Sequence, residues 1–344
     1  MASSTKQRVM DEGALHDQAG RLRDPGYATR EVRRYDRAAI AADPVRIKEW
    51  DYYCILDADC GLALTVADNG YVGFLGVSWM DLRRKSFVNH GALVPEPMGR
   101  MVLPASADSG DIVQVQQGVE LAFRHERGGR RLTVHAPDFG DGVGLSGEVW
   151  LDQPAMDRMV IATPFPDDPH AFYYNQKINC MPASGRVKVG GEYHDFTPEK
   201  AFAVLDWGRG VWTYDNIWYW GSASGMVDGR SFGFNIGYGF GDTSAASENM
   251  LFVDGRAHKL DQVTFHLPDG ALDASPWRFS SNDGRFELGF RPAVNRWDKV
   301  DAGLVKTEQD QLFGWYSGTV LLDDGTPLAV RDLPGFAEKV WNRW

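Results

Sequence analysis

From Trp50 onward, apolar and polar residues alternate in short runs, the period of strands that bury one face. Trp50–Leu56, Leu62–Ala67, Tyr71–Trp79 and Arg83–Asn89 read as four strands. Ile112–Gln116, Val119–Glu126, Arg131–Ala136, Gly144–Leu151, Met159–Thr163 and Phe172–Asn179 continue the series. A second series takes in Val187–Val189, Ala201–Leu205, Ile217–Ser222, Ser231–Tyr238, Met250–Val253, His258–Leu267, Trp277–Ser280, Phe286–Arg291 and Leu312–Leu322. Turn formers divide the runs, among them Asp57-Ala-Asp-Cys-Gly61, Asp68-Asn-Gly70, Arg127-Gly-Gly-Arg130, Asp254-Gly255, Asp283-Gly284 and Asp324-Gly325. Asn and Gly tolerate the positive φ of tight hairpins. Strands spaced about 8–12 residues apart predict an antiparallel sandwich or up-and-down barrel.

Residues 1–46 are polar and locally basic, with turn formers at Gly13, Gly20 and Pro25-Gly26. They read as an arm packed over the body, with a short helix over Arg37–Ala42 that ends before Pro44. Residues 335–344 read as a short amphipathic helix. The two strand series predict two β-units, at 47–180 and 181–344, with Pro164-Phe-Pro-Asp-Asp-Pro169 marking the break. No internal repeat shows in the sequence.

Composition narrows the function classes. Hydrophobic content is 43%, aromatics reach 12%, and 38 of the 344 residues are glycine, which favours sheets with tight turns around a sizeable core. A net charge of −11 argues against nucleic acid as a partner and against attraction to anionic lipid. Arg21, Arg23, Arg30, Arg33, Arg34 and Arg37 are interrupted by acids and read as a solvated face. Cys54, Cys60 and Cys180 have no metal-ligand spacing and suggest reduced thiols in a cytoplasm. The start, Met1-Ala-Ser-Ser-Thr-Lys-Gln-Arg8, lacks the apolar stretch of a secretory signal, and no apolar run is long enough to span a membrane. Nucleotide-cofactor motifs are missing, and His125 and His135 have no carboxylate at metal-site spacing, so neither cofactor nor metal is expected.

Residues 206–220 concentrate the candidate chemistry. Trp207, Trp212, Trp218 and Trp220 fall beside Asp206, Arg209, Tyr214 and Asp215. Indoles are large and apolar, so the window reads as the wall of a hydrophobic ligand pocket with polar groups set into it. A well-packed β-core with a buried ion pair explains the same residues. A tight turn through Gly208 and Gly210 would fold Arg209 back onto Asp206. Indole walls raise a carboxyl pKa and arginine lowers it, so Asp206 is either an acid or a structural partner. In an extended chain Tyr214, Asn216, Trp218 and Trp220 share one face, and Asp215 points away from it. Farther on, Gly233, Gly237, Gly239 and Gly241 share a face with Asn235, opposite Tyr238, which leaves room for a ligand or a stacked indole. Glu248 and Asn249 precede an apolar strand, where they either seal a barrel end or supply an acid.

Several of these segments resemble the family called domain of unknown function 2804. They are Lys48-Glu-Trp-Asp-Tyr-Tyr53, Ala67-Asp-Asn-Gly-Tyr71, Asp206-x-x-Arg209-Gly210, Trp218-x-Trp220-x-Ser222-Ala223, Gly233-x-Asn235, Gly241-Asp242 and Glu248-Asn249-x-x-x-Val253-Asp254-Gly255. That family is distantly similar to the double-lipocalin group of carotenoid 1,2-hydratase-like and tocopherol-cyclase-like proteins. The resemblance implies an all-β fold of two consecutive lipocalin-like antiparallel barrels, with an apolar ligand in or between them. It also implies a carboxylate or tyrosine that protonates an alkene or steers a cyclisation. Trp207 stands where a smaller polar residue is expected and would narrow the pocket.

Three functions remain open on these grounds. The first is a cofactor-independent enzyme that hydrates, dehydrates, isomerises or cyclises an isoprenoid or polyketide-like small molecule. Asp206, Glu248 or Asp215 would supply the proton. Trp207, Arg209, Trp212, Tyr214, Trp218, Trp220, Asn235, Tyr238 and Asn249 would form the binding wall. The second is a carrier of a hydrophobic molecule, and the third is a structural protein with no cavity.

Overall fold

A computed structural model describes residues 7–343. Met1–Lys6, the greater part of the start in which no secretory signal was expected, and Trp344, the end of the expected C-terminal helix, lie outside the described residues. The arm carries three short strands, β1 (Gly13–Ala14), β2 (Gly26–Ala28) and β3 (Arg33–Arg34). β1 pairs in parallel with β3. The helix expected over Arg37–Ala42 is one 3-10 turn, Arg37–Ala39, and a second turn follows at Pro44–Arg46. Asp36 and Asp43 each accept a backbone N–H two residues on, which closes a turn without starting a longer helix.

The first large sheet uses β4 (Ile47–Leu56), β5 (Cys60–Asp68), β6 (Val72–Asp81), β7 (Ser86–Pro95), β8 (Ile112–Gln116), β9 (Val119–Glu126), β10 (Gly129–Ala136), β11 (Leu145–Asp152), β12 (Met159–Phe165), β13 (Asp168–Val189), β14 (Glu192–Phe196) and β15 (Phe202–Val211). β2 of the arm adds to β12. The second uses β16 (Asp215–Val227), β17 (Arg230–Tyr238), β18 (Met250–Val253), β19 (Arg256–Lys259), β20 (Val263–His266), β21 (Trp277–Ser281), β22 (Phe286–Asp301), β23 (Lys306–Leu321) and β24 (Pro327–Arg343).

Both sheets follow one plan. Most chain neighbours pair antiparallel, and the last strand returns beside the first, β15 beside β4 and β24 beside β16. The open ends of the first path, β7 and β8, are bridged by Gln116 Nε2, which donates to Leu93 O at 3.0 Å. In the second, Phe265 of β20 packs on Tyr238 and Tyr219. The result is two consecutive lipocalin-like antiparallel barrels. No helix of the described residues is long and apolar enough to cross a membrane.

The segment expected as a C-terminal helix is the end of β24. Apolar Phe336 and Val340 are four apart, a spacing that suits a helix as well as a strand. Pairing decides: this stretch lies between β16 and β23 and bonds to both. The sheets change over at 212–214. Position 180, where the sequence places the first unit's end, is a bulge inside β13, with Cys180 at φ 60°. β13 keeps β15 as its partner through Pro182 and then pairs with β11 and β14.

Side-chain alternation produces three apolar clusters. Tyr53, Leu64, Phe123 and Trp207 fill the first barrel, and Phe234, Phe279 and Tyr316 fill the second. A third cluster lies between the barrels, where Tyr52, Cys54 and Met80 meet Trp220, Val294, Phe313 and Phe336. Tyr52 and Tyr53 thus serve different clusters because successive strand residues face opposite ways. Both barrel interiors are plugged, so room for a ligand is left between the outer walls.

Candidate active site

A cavity of about 420 Å³ opens beside the third cluster, between the two sheets. One wall is the rung Lys177–Asp206–Tyr52–Thr65–Gly76–Gly91, running across six strands of the first sheet. The facing wall is the rung Trp220–Glu338–Gln311–Arg296, across four strands of the second. Tyr52 Oη donates to Gln311 Oε1 at 3.3 Å and ties the walls together.

Aromatic side chains close one side. Trp50 stacks on Tyr173, and Trp212, Trp218 and Phe240 meet edge to face with centroids 4.8–6.0 Å apart. Glycines make the space for these rings. A Cβ on Gly208 would lie 1.9 Å from Trp50 Cζ2, and one on Gly210 would lie 3.0 Å from Trp212 Nε1. Gly208 and Gly210 therefore belong to a strand with indoles laid across it, and the tight turn expected there does not form.

At the deep end one ammonium serves several carboxyls. Lys177 Nζ is 2.8 Å from Asp206 Oδ2 and 3.7 Å from the centroid of the Trp220 ring. Asn175 donates to the other Asp206 oxygen at 2.6 Å. Glu338 accepts from Trp218 Nε1 and from Gln311 Nε2, each at 2.9 Å. Its burial pushes the carboxyl up to about 7, against the pull of the Trp218 bond and the Lys177 charge. Burial also raises the Glu248 carboxyl, against the opposing Lys177 charge and Asn235 bond. Glu248 is positioned by a relay: Trp220 Nε1 donates to Asn235 Oδ1 at 2.7 Å, and Asn235 Nδ2 donates to Glu248 O and Oε2 at 2.9 and 3.2 Å. Gly237 is bare because a Cβ there would sit 2.8 Å from Glu248 Oε1. The phenol of Tyr173 is held well above its ordinary pKa by burial first and by Glu248, Asp206 and Glu338 next. The arrangement can hold a proton on a carboxyl near neutral pH inside an apolar cavity.

Of the residues singled out in the sequence, Asp206, Glu248, Trp212, Trp218 and Trp220 line this cavity. The expected Asp206–Arg209 pair is absent. Both residues sit in β15 three positions apart, and an odd spacing on a strand puts side chains on opposite faces. Arg209 is instead enclosed in the first barrel, where it pairs with Asp51 at 3.0 Å and lies 4.0 Å from the Trp207 ring centroid. Trp207, on that same face, is fully buried and does not narrow the cavity. Asp215 points away from the cavity and is held outside by Arg343 at 2.9 Å and Trp341 Nε1 at 2.8 Å. Tyr214 is exposed and donates to Leu304 O at 2.7 Å. Tyr238 stacks on Tyr219 in the second barrel. Asn235 and Asn249 stand behind the wall, Asn249 accepting the Gly237 N–H at 2.8 Å.

Lys177, Glu338, Tyr173, Trp50, Phe240 and Arg296 line the cavity as well and were not singled out. Two signals existed, covering three of them. Tyr173, Asn175 and Lys177 alternate through the apolar run of β13, and Glu338 sits between Phe336 and Val340 in strand spacing. A helical reading of 335–344 hid the second. Among the described residues no cluster of His, Cys, Asp or Glu is arranged to hold a metal ion.

Two solved structures share the two-barrel fold. Kievitone hydratase from Nectria haematococca superposes with a TM-score of 0.52 at 10% identity, covering 86% of this chain and 88% of its own. A protein from Nitrosomonas europaea, solved under the provisional name AttH, also has a TM-score of 0.52, at 15% identity, covering 89% and 95%. At these identities the likeness concerns the fold. No curated protein matches the chain in sequence. The family profile described as domain of unknown function (DUF2804) matches residues 6–344.

Proposed function

The chain belongs to the DUF2804 family, and from that premise we propose that it is a lipocalin-like enzyme acting on an apolar isoprenoid or polyketide-like molecule by proton transfer. The carrying observation is the pair of buried carboxyls, Glu338 and Glu248, whose pKa values are raised by burial in an aromatic-walled cavity of about 420 Å³. A carboxyl that keeps its proton near neutral pH is suited to general acid catalysis. The reading takes Asp206, Glu248 and Glu338 as the proton-handling groups, with Trp212, Trp218 and Trp220 as the ligand wall.

In the proposed step a protonated carboxyl gives its proton to an alkene carbon. Its O–H bond breaks as a C–H bond forms. The electron-poor carbon left behind is stabilised by the face of Trp218, since the Trp220 ring already carries the Lys177 ammonium. Water then bonds to that carbon and returns a proton to the carboxylate, which restores the acid. In a cyclisation a second double bond of the substrate takes the place of water, and loss of a proton from the ring restores the carboxyl. Protonation of a hydroxyl and loss of water runs the first scheme backward. That the structurally similar kievitone hydratase is named for a hydration agrees with this reading. The three cysteines, all free and buried, fit a reducing cytoplasm.

The test is turnover of apolar polyenes by the wild-type protein and by Glu338→Gln, Glu248→Gln and Asp206→Asn. The expected result is conversion by wild type, lost in at least one carboxyl variant that still quenches tryptophan fluorescence on binding. Saturable binding with no conversion by wild type would mark a carrier. Full conversion by all three variants would remove these carboxyls as the acid.

A further inference from the structure

Arg296 faces the cavity from β22 and is the cation nearest its open side. The lining residues Asn89, Gly91 and Asp298 are exposed, whereas Lys177, Asp206, Glu248 and Glu338 are buried, so the mouth lies on the β7–β22 side. Among the described residues Arg296 ion-pairs with no carboxylate. Its Nη1 donates to Ser78 Oγ at 3.0 Å, and its Nε is buried with no acceptor. A guanidinium is always charged and presents five donors in a planar fork. Glu338 feels the charge of Arg296 only beyond ion-pair distance, so a ligand that brings an anion into hydrogen-bond reach supplies the partner this guanidinium lacks.

The surroundings favour an oxygen anion there. Ser78 pairs directly with Asn89 in the β6–β7 ladder, so a hydroxyl and an amide stand beside the guanidinium on one face. Gly76 and Gly91, partners in the next rung, leave the floor bare beside them. Asp298 is two residues along the same strand and exposed to solvent, one rung away. Lys177 is already committed to Asp206. Glu338 is two strands from Arg296, so their backbones are about 10 Å apart at ordinary strand spacing.

We propose that the ligand is an anionic amphiphile: an apolar body entering first against the tryptophans, and a carboxylate left at the mouth on Arg296. This deepens the proton-transfer reading and rests on it, because it fixes where the ligand's head and its reacting carbon lie. The reacting carbon, beside Glu338, then lies farther along the same rung, inward of the carboxylate. Arg296 is a binding and orienting residue in this scheme.

The experiment titrates wild type and Arg296→Gln at pH 8 with retinoic acid and with retinol. These probes share one apolar body and differ in the head group. Both absorb where tryptophan emits, so quenching reports occupancy. Wild type is expected to bind the acid at least about 10-fold tighter than the alcohol, the size of a charge-assisted contact. Arg296→Gln is expected to lose that preference while binding retinol within twofold of wild type, which also shows that the variant is folded. Equal affinity of wild type for both probes overturns the anionic head and leaves the apolar cavity standing. A preference that survives in Arg296→Gln overturns the role of this residue. Failure of wild type to bind either probe overturns the cavity reading and this proposal together. The comparison within wild type decides the matter even where the variant does not fold.

Discussion

Glu338 carries the clearest consequence at the scale of single residues. An acid catalyst works while it holds its proton, so activity should be full below about pH 7 and fall as pH rises through it. The same shift affects stability. The group titrates near 4.5 when unfolded and about 7 when folded, so between those values the native state binds more protons. Stability present below pH 4.5 is therefore lost as pH rises through 7, by about 3 kcal/mol in all. Glu338→Gln has no such proton. Its thermal midpoint should gain on wild type between pH 4.5 and pH 8, and midpoints that run parallel across that range would contradict the assignment. Arg209 gives a second prediction. Arg209→Ala strands the buried carboxylate of Asp51 and should cost about 3–5 kcal/mol in denaturant unfolding. A double-mutant cycle should find coupling between Arg209 and Asp51 and none between Arg209 and Asp206. Coupling to Asp206 would contradict the structure. At this scale the sequence disclosed which residue types matter, since the tryptophans and carboxylates of 206–220 stand out on inspection. It did not disclose their partners. A contact such as Lys177–Asp206 joins two strands through a register that no local pattern encodes, and three-residue spacing suggests a pair that a strand forbids.

Elements were legible where a turn signal bounded a period-two run. β5, β9 and β18 lie close to where alternation placed them, because Asp-Asn-Gly, Arg-Gly-Gly-Arg and Asp-Gly turns end or begin them. Elements failed where the run had no such boundary. β13 continues through Cys180 for 22 residues, and β24 borrows its conformation from two neighbours. The stretch 258–267, with one apolar pattern, divides into β19 and β20 because the barrel path changes edge there. The glycines of β15 give a test at this scale. Gly208→Ala puts a Cβ into the Trp50 indole and should destabilise by about 1–3 kcal/mol, with a changed near-ultraviolet circular dichroism signal. Gly191→Ala, where a Cβ meets nothing within 4 Å, should leave both unchanged. Equal effects of the two would mean that Trp50 does not lie on the strand.

At the scale of the whole molecule, the two barrels repeat one strand plan without a repeat in the sequence. A barrel demands only that inward positions be apolar, and many sequences satisfy that. Their interiors are filled, and the interface between them supplies a cavity of about 420 Å³. Composition indicated a large aromatic β-protein, but a cavity between two outer walls depends on which faces meet, and that is set by packing. The central claim is that buried carboxyls in this cavity deliver a proton to carbon. The most direct measurement is incubation with the apolar extract of expressing cells in deuterium oxide, followed by mass spectrometry. Wild type should place one non-exchangeable deuterium on a compound of the extract, and Glu338→Gln combined with Glu248→Gln should place none. A wild-type protein that binds an extract compound tightly and labels nothing would contradict the account.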